Sequence, residues 1–592
     1  MWQATWKNVQ PWLRGWLKSE QSLLAWAALI GMVAGGMTVA LKNGVALLRR
    51  GLLGLEAVTA WDGVLALGPV LGLVATAWFV RRGAKGDHPG PGVPATLHAL
   101  SRRQGRLKRR WMYSPLVASW LTVGLGGSGG LEAPALQASA AFGSEVASAT
   151  RRNFNRRVLL IACAAAASLA ATFKAPVAAI IFAVEVIMID LTAGSLVPLL
   201  LASLSSLLTA WFLLEGEDVL AAPELAAFAV ERLPFYAGLG LLSGAGSVVF
   251  SKLYLWSSGR MRRVRGRAVR ITLAGMLMGG AVWLFPSLYG EGYEVINGLF
   301  SGESTGLAAD MAIHLFAPEG LLLVLVLLAA WALKPMLTGF TVGAGGVAGV
   351  FAPVLFAGAV LGYVFAVGLN LIAGDEVMPV GNAVLAGLAG MLAGVLHAPL
   401  TAVFLAAEVS GGYDLFVPVM LTAALSFQLA RHLLKHSIYT KELAESGDLL
   451  SHNKDQAVLT LMSLKDEVES DFVAVAPDAT LGDLVQIIAR SSRNLHPVLA
   501  PDGELLGIID LQDIRQIMFD RDQYETLSVH ELMAAPLATL EVHARMDDVM
   551  AQFERTKAWN LPVVAQGKYV GFVSRSRLFS AYRRWLRETH QD

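Results

Sequence analysis

The chain has 592 residues, of which 55% are hydrophobic and only 16% charged. That balance excludes a large water-soluble globule and describes a polytopic membrane protein. The net charge of +1 gives no overall basic excess that would favour nucleic acid, and a single cysteine, Cys163, excludes a disulfide framework.

The N-terminal segment, residues 1–22, is rich in Trp, Lys and Arg and has no small-residue cleavage site before the first apolar run. It reads as an interfacial amphipathic helix and not as a signal peptide. Apolar runs then recur from about Leu23 to about Leu434; residues 191–214 carry no charge at all, enough to cross a bilayer. Basic clusters at Arg81–Gly86, Arg102–Arg110, Arg151–Arg157 and Gly259–Arg270 lie between them. By the positive-inside rule these loops, and with them both termini, are expected on the cytoplasmic side of a plasma (inner) membrane.

The membrane region, 23–440, repeats itself. "GLEAPALQASAAFG" at Gly130 aligns with "GVFAPVLFAGAVLG" at Gly349, an offset of 219. "KAPVAAIIFAVEV" at Lys174 aligns with "HAPLTAVFLAAEV" at His397, an offset of 223. Two motifs in one order at nearly one offset define halves of about 23–230 and 231–440. An odd number of spans per half would invert one against the other, and such repeats place a substrate site at their interface.

Three glycine-proline segments each precede an apolar helical run: "GPGVP" (Gly90–Pro94), "GLEAP" (Gly130–Pro134) and "GVFAP" (Gly349–Pro353). A helix N-terminus exposes unpaired N–H groups and a partial positive charge, which suits an anion. Several such ends meeting at the midplane would bind an anion without a full positive charge, so it could still be released. Glu132 lies inside one of these segments. A carboxylate at membrane depth either acts as a displaceable stand-in for the anion or only caps a helix. Pro91 and Phe351 read equally well as turn and packing residues. Glu185 and Glu408, mates in the repeat, are expected to be structural, and His98 and His397 to be packing or loop residues.

These segments resemble the CLC family of chloride channels and chloride/proton antiporters, over about Leu23 to Tyr439. "GPGVP" is similar to the family's G-S-G-I-P, "GLEAP" to G-R/K-E-G-P, and "GVFAP" to G-x-F-x-P. The fold implied is a polytopic α-helical membrane protein with an internal repeat. The resemblance implies Glu132 as the external gating glutamate. It places the anion against Gly90, Pro91, Gly92, Gly349, Val350, Phe351 and the Tyr439 hydroxyl, and implies a homodimer with one pore per subunit. Three departures stand out. Pro91 replaces the usual anion-coordinating serine, as in the family's plant nitrate transporters. Leu131 and Ala133 replace the basic residue and the second glycine beside the gate. Val186 stands where antiporters carry the inner proton-relay glutamate; Asp190, one turn on, is the remaining candidate. On Val186 the expected function is an anion channel for chloride or another small anion such as nitrate, with the proton-coupled antiporter as the alternative.

Composition turns polar beyond Tyr439, so 441–592 is expected to be a cytoplasmic domain. Asn494–Ile514 and Asn560–Leu578 repeat a strand–turn–strand–helix pattern, each preceded by an amphipathic helix. This resembles a tandem pair of CBS domains, α/β in class, spanning about 466–525 and 529–590. Such pairs can hold an adenine nucleotide; Asp513 matches the ribose-binding aspartate in the first copy, and Arg577 replaces it in the second. No other cofactor or metal is expected, and membrane lipids are the surrounding partner. Two other classes fit less well. A membrane metalloprotease needs H-E-x-x-H within a span, but His530-Glu531 lies in the tail without a second histidine. A CBS-tailed divalent-cation channel needs clustered intramembrane carboxylates, and Glu132 is isolated in the sequence. The protein is therefore not expected to be an enzyme.

Overall fold

The computed structural model describes residues 20–59, 64–187, 192–213, 219–220, 225–301, 321–446, 459 and 462–590. The chain divides into two compact units, Met1–Leu449 and Leu450–Asp592. Asp190 and nearly all of the 1–22 segment lie outside the described residues.

The first unit is helical: α1 (Glu20–Thr59), α2 (Val64–Arg82), α3 (Val93–Arg102), α4 (Ser114–Gly124), α5 (Glu132–Ala149), α6 (Phe154–Phe173), α7 (Pro176–Val186) and α8 (Ala193–Leu213) come first. There follow α9 (Leu233–Arg263), α10 (Arg267–Leu284), α11 (Tyr293–Ser301), α12 (Leu321–Gly343), α13 (Phe351–Ala373), α14 (Val380–Leu396), α15 (Pro399–Val409), α16 (Phe416–Leu433) and α17 (Lys441–Ser446). Among the described residues nine helices are long and apolar enough to cross a membrane. The 11-residue helices α7 and α15 are not; at 1.5 Å per residue each is about 16 Å long, roughly half the hydrocarbon thickness. Their free ends must therefore be satisfied inside protein.

The two halves meet that requirement reciprocally. The Glu185 carboxylate at the end of α7 accepts hydrogen bonds from the N–H groups of Leu400 (2.9 Å) and Thr401 (2.8 Å), the first turn of α15. The Glu408 carboxylate at the end of α15 accepts them from Val177 (3.0 Å) and Ala178 (2.7 Å), the first turn of α7. Each negative side chain fills the positive end of the other half's short helix. Both are structural, as the repeat suggested. The hinges before these helices match as well: Lys174 and His397 both close the preceding helix in a left-handed conformation, φ 55° and 58°. Reciprocal contacts between equivalent residues mark a two-fold relation between halves.

Close approach in the core depends on small residues. The Ala-rich α6 is almost wholly buried against α5, α7 and α8. Where α13 crosses α14, a Cβ on Gly362 would stand 2.1 Å from the Ala383 carbonyl oxygen, so only glycine fits.

In the second unit, β1 (Leu495–Leu499) pairs antiparallel with β2 (Leu505–Asp510), and a short helix α19 (Leu511–Ile514) follows. The later copy has β3 (Leu540–Glu541) parallel to β4 (Asn560–Ala565), β4 antiparallel to β5 (Lys568–Ser574), then α21 (Arg575–His590). The helices preceding the hairpins are α18 (Leu481–Arg490) and α20 (Met546–Thr556), whose apolar faces fill the two tail cores. His530 and Glu531 belong to a helix cap, in which the Glu531 carboxylate accepts from the Ser528 N–H. Among the described residues no group of three or more His, Cys, Asp or Glu stands together as a metal site.

Candidate functional site

The two repeat motifs meet head to head. Gly130 donates its N–H to the Gly349 carbonyl (2.8 Å) and Gly349 returns the bond (2.7 Å), a two-residue antiparallel bridge. Each glycine sits two residues before a helix: α5 begins at Glu132 and α13 at Phe351, so the positive ends of both helices face one spot. A third end arrives with α3. Gly92 caps it at φ 70°, and a Cβ there would stand 2.6 Å from the Ala133 side chain. The "GPGVP" loop is held by Gln137, whose amide donates to the Pro89 carbonyl. His88 fixes it too: its Nδ1 accepts from the Gly90 N–H (3.0 Å), which leaves Nε2–H to donate to the Gly345 carbonyl (3.0 Å).

A cavity of about 260 Å³ ends at this junction. Pro91, Ala133, Gly349, Val350 and Tyr439 line it, with Tyr254 and Ser258 from α9. Arg262, Lys441, Glu442 and Glu445 also border it, with Arg262 3.8 Å from Glu442. Four expected anion-binding residues, Pro91, Gly349, Val350 and Tyr439, thus line one cavity. Phe351 is buried beside them and packs on Phe173 (centroids 5.2 Å) and Phe182 (6.3 Å). Gly90 and Gly92 shape the turn behind Pro91, both at positive φ. Val186 closes α7 as a buried apolar residue, 6% exposed.

Glu132 is 4% exposed and folds back over its own segment, with Oε2 only 2.0 Å from where a Cβ on Gly130 would lie. Glycine at 130 is what leaves room for the carboxylate. The backbone N–H groups of Glu132 and Ala352 face that carboxylate, one from each half. Oε1 accepts from the Tyr293 hydroxyl, whereas Oε2 has no hydrogen-bond partner at ordinary geometry. The side chain therefore sits as an anion would, at the junction of two helix ends.

Sequence reasoning missed the groups around it. Glu291 comes from a strap between α10 and α11 and Tyr293 opens α11; Glu291 Oε1 accepts from the Leu131 N–H at 3.3 Å. Lys334, wholly buried within α12, donates from Nζ to the carbonyls of Leu288 (3.2 Å) and Gly290 (2.9 Å) and so secures the strap. Lys42 on α1 donates to the Thr172 carbonyl (2.8 Å), and its charge reaches Glu132 and Glu291. The rule that singles out Glu132, an ionisable residue in an apolar run, also applies to Lys334 and would have found it.

In the tail, Asp513 is exposed in the first turn of α19. Arg577, at the matching place in α21, is 3.2 Å from Glu467 and 3.8 Å from Glu469. An ion pair thus occupies the region where the second copy would present an aspartate.

The family model described as voltage gated chloride channel matches residues 71–431. The chain belongs to this family. Two CBS-domain matches follow at 464–520 and 529–584. A Ralstonia nicotianae protein named as ClcB-like, after a chloride channel protein, is 29% identical over 446 residues, covering 72% of this chain and 97% of its own length. The H(+)/Cl(-) exchange transporter ClcA of Salmonella arizonae is 26% identical over 457 residues, covering 74% and 91%. Among solved structures, a slow cyanobacterial Cl-/H+ antiporter aligns with TM-score 0.62 at 21% identity, covering 73% of this chain and 99% of its own. A eukaryotic CLC transporter aligns with TM-score 0.59 at 20% identity, covering 94% and 97%. The fold is the CLC fold with a C-terminal CBS pair, and the family transports anions.

Proposed function

We propose that this CLC protein exchanges chloride or a related small anion for protons, with Glu132 as the group that alternates between plugging the anion path and carrying the proton. The observation that carries the reading is the seat of Glu132: its carboxylate rests among N–H groups of both halves, at the end of a cavity lined by Pro91, Gly349, Val350 and Tyr439. An ionised carboxylate and a bound anion compete for that seat; a protonated one gives it up. Relatives named as exchangers favour coupled exchange over the channel reading that Val186 suggested.

The channel reading keeps one observation in its favour. Val186 is buried and apolar, so that position cannot hand a proton toward Glu132. The reversal potential of purified protein under opposed chloride and pH gradients separates the two. Coupled exchange shifts it with the pH gradient; a potential that follows chloride alone identifies a channel. Glu132→Gln should abolish any shift and make anion flux independent of pH.

The same reading assigns a homodimer in the inner membrane, with both termini in the cytoplasm and the Pro91 position setting preference between chloride and nitrate. It makes the CBS pair a regulatory tail that holds at most one adenine nucleotide, on Asp513, because Arg577 is already committed to Glu467 and Glu469. ATP, ADP or AMP titrated into the full chain in a calorimeter should give heat that Asp513→Ala removes.

A further inference from the structure

We propose that Glu291, which is not among the residues lining the Tyr439 cavity, is the proton carrier between solvent and Glu132. The assignment rests on Glu132 as the gate, not on whether its protonation is coupled to exchange.

The strap that carries Glu291 is built to a fixed position. Lys334 holds the carbonyls of Leu288 and Gly290, and the Gly129 N–H donates to the Gly290 carbonyl at 3.2 Å. Glycine is required at 292, where φ is 92° and a Cβ would stand 2.8 Å from the Phe356 ring. With both flanks of Glu291 pinned, its carboxylate accepts from the N–H of Leu131, the residue immediately before the gate helix. Two residues on, Tyr293 delivers its hydroxyl to Glu132 itself. One short segment therefore touches the gate at two consecutive residues.

The order of exposure fits a relay. Glu132 is 4% exposed, while Glu291 keeps part of its surface open. The charges of the two carboxylates reach each other. Other groups face Glu291: Lys42 from α1 and Lys334 from α12, Tyr293 from α11 and Arg49 from α1. Two carboxylates in one poorly solvated site resist double ionisation and hold a proton between them. Lys42, partly exposed, and Lys334, wholly buried, ease the second charge. Lys42 and Lys334 are themselves bound to carbonyls, which fixes where they stand beside the two carboxylates.

The step moves one proton. Neutral Glu291 gives its carboxyl proton to ionised Glu132, which becomes neutral and leaves its seat. Glu291, now ionised, takes a proton from solvent. A carboxylate that only capped α5 would serve as well with its charge removed, because glutamine also offers an oxygen to the Leu131 N–H.

The test uses purified full-length protein in liposomes and measures chloride efflux after a drop in pH. Wild type should accelerate on acidification. Glu291→Gln should slow or abolish that acceleration by at least about tenfold, the range lost with a positioned proton-transfer group. Glu291→Asp should restore it. In the Glu132→Gln background, which needs no gate proton, adding Glu291→Gln should change nothing. Glu291→Gln that accelerates like wild type overturns the proposal. So does a double variant slowed by the same factor as the single one, because that reports a damaged path and not a lost relay. Failure of the gate itself looks different: Glu132→Gln would then keep the pH dependence of wild type.

Discussion

Gly130→Ala perturbs the gate without touching its carboxylate. The added Cβ would lie 2.0 Å from Glu132 Oε2 and 3.1 Å from both the Cβ and the N of Ala352. A carbon and an oxygen need about 3.3 Å, so the carboxylate must retreat by more than 1 Å, roughly, whereas Ala352 needs to yield only a few tenths. The backbone tolerates the change: Gly130 is not left-handed, and its paired bonds to Gly349 use only main-chain atoms. The retreat breaks the bond from the Tyr293 hydroxyl, a charge-assisted hydrogen bond of about 1.5–3 kcal/mol. At a factor of ten per 1.4 kcal/mol, the seat empties roughly ten to a hundred times more often. Chloride efflux from liposomes at neutral pH should rise by about that factor, toward the Glu132→Gln rate, and its dependence on pH should flatten. Thermal stability should fall by no more than about 1–2 kcal/mol. A folded Gly130→Ala protein with wild-type efflux and wild-type pH dependence would refute the seat described for Glu132.

Removing a reciprocal cap should cost stability and not selectivity. Glu408→Ala leaves the Val177 and Ala178 N–H groups without their acceptor, for a loss of about 2–3 kcal/mol and a lower melting temperature in detergent; an unchanged melting temperature would count against the capping role. Glu185→Ala should cost at least as much, because its carboxylate accepts from the Thr401 hydroxyl (2.6 Å) in addition to the two N–H groups. Pro91→Ser puts a hydroxyl on the cavity wall and should move relative permeability from nitrate toward chloride; unchanged ratios measured by bi-ionic potentials would make Pro91 a turn residue only.

Much of this protein is legible in its sequence because the deciding features are local. Apolar length fixes the spans, and a Gly/Pro segment before an apolar run fixes a helix N-terminus with its partial charge. The repeat at Gly130/Gly349 and Lys174/His397 shows that these ends come in pairs. A lone carboxylate among small residues, Glu132, is costly wherever it sits at membrane depth, so its importance follows without a structure. The tail reads the same way, since alternation and amphipathic period are short-range.

What only the tertiary structure decides is which group fills each helix end. Glu185 and Glu408 look alike from the sequence and could have faced solvent, lipid or a path. Packing of the two halves turns each toward the other's short helix, across more than 200 residues of chain. The strap holding Glu291 and Tyr293 is an unremarkable "GEGYE" in the sequence, yet Tyr293 reaches the gate from 161 residues away. Such pairings are set by how helices cross, and no periodicity encodes a crossing. The sequence therefore determines where the positive helix ends and the costly charges are. The fold decides which charge each end receives, because an unsatisfied N–H or carboxylate in a low-dielectric interior is satisfied by whatever packing brings within three ångströms or so.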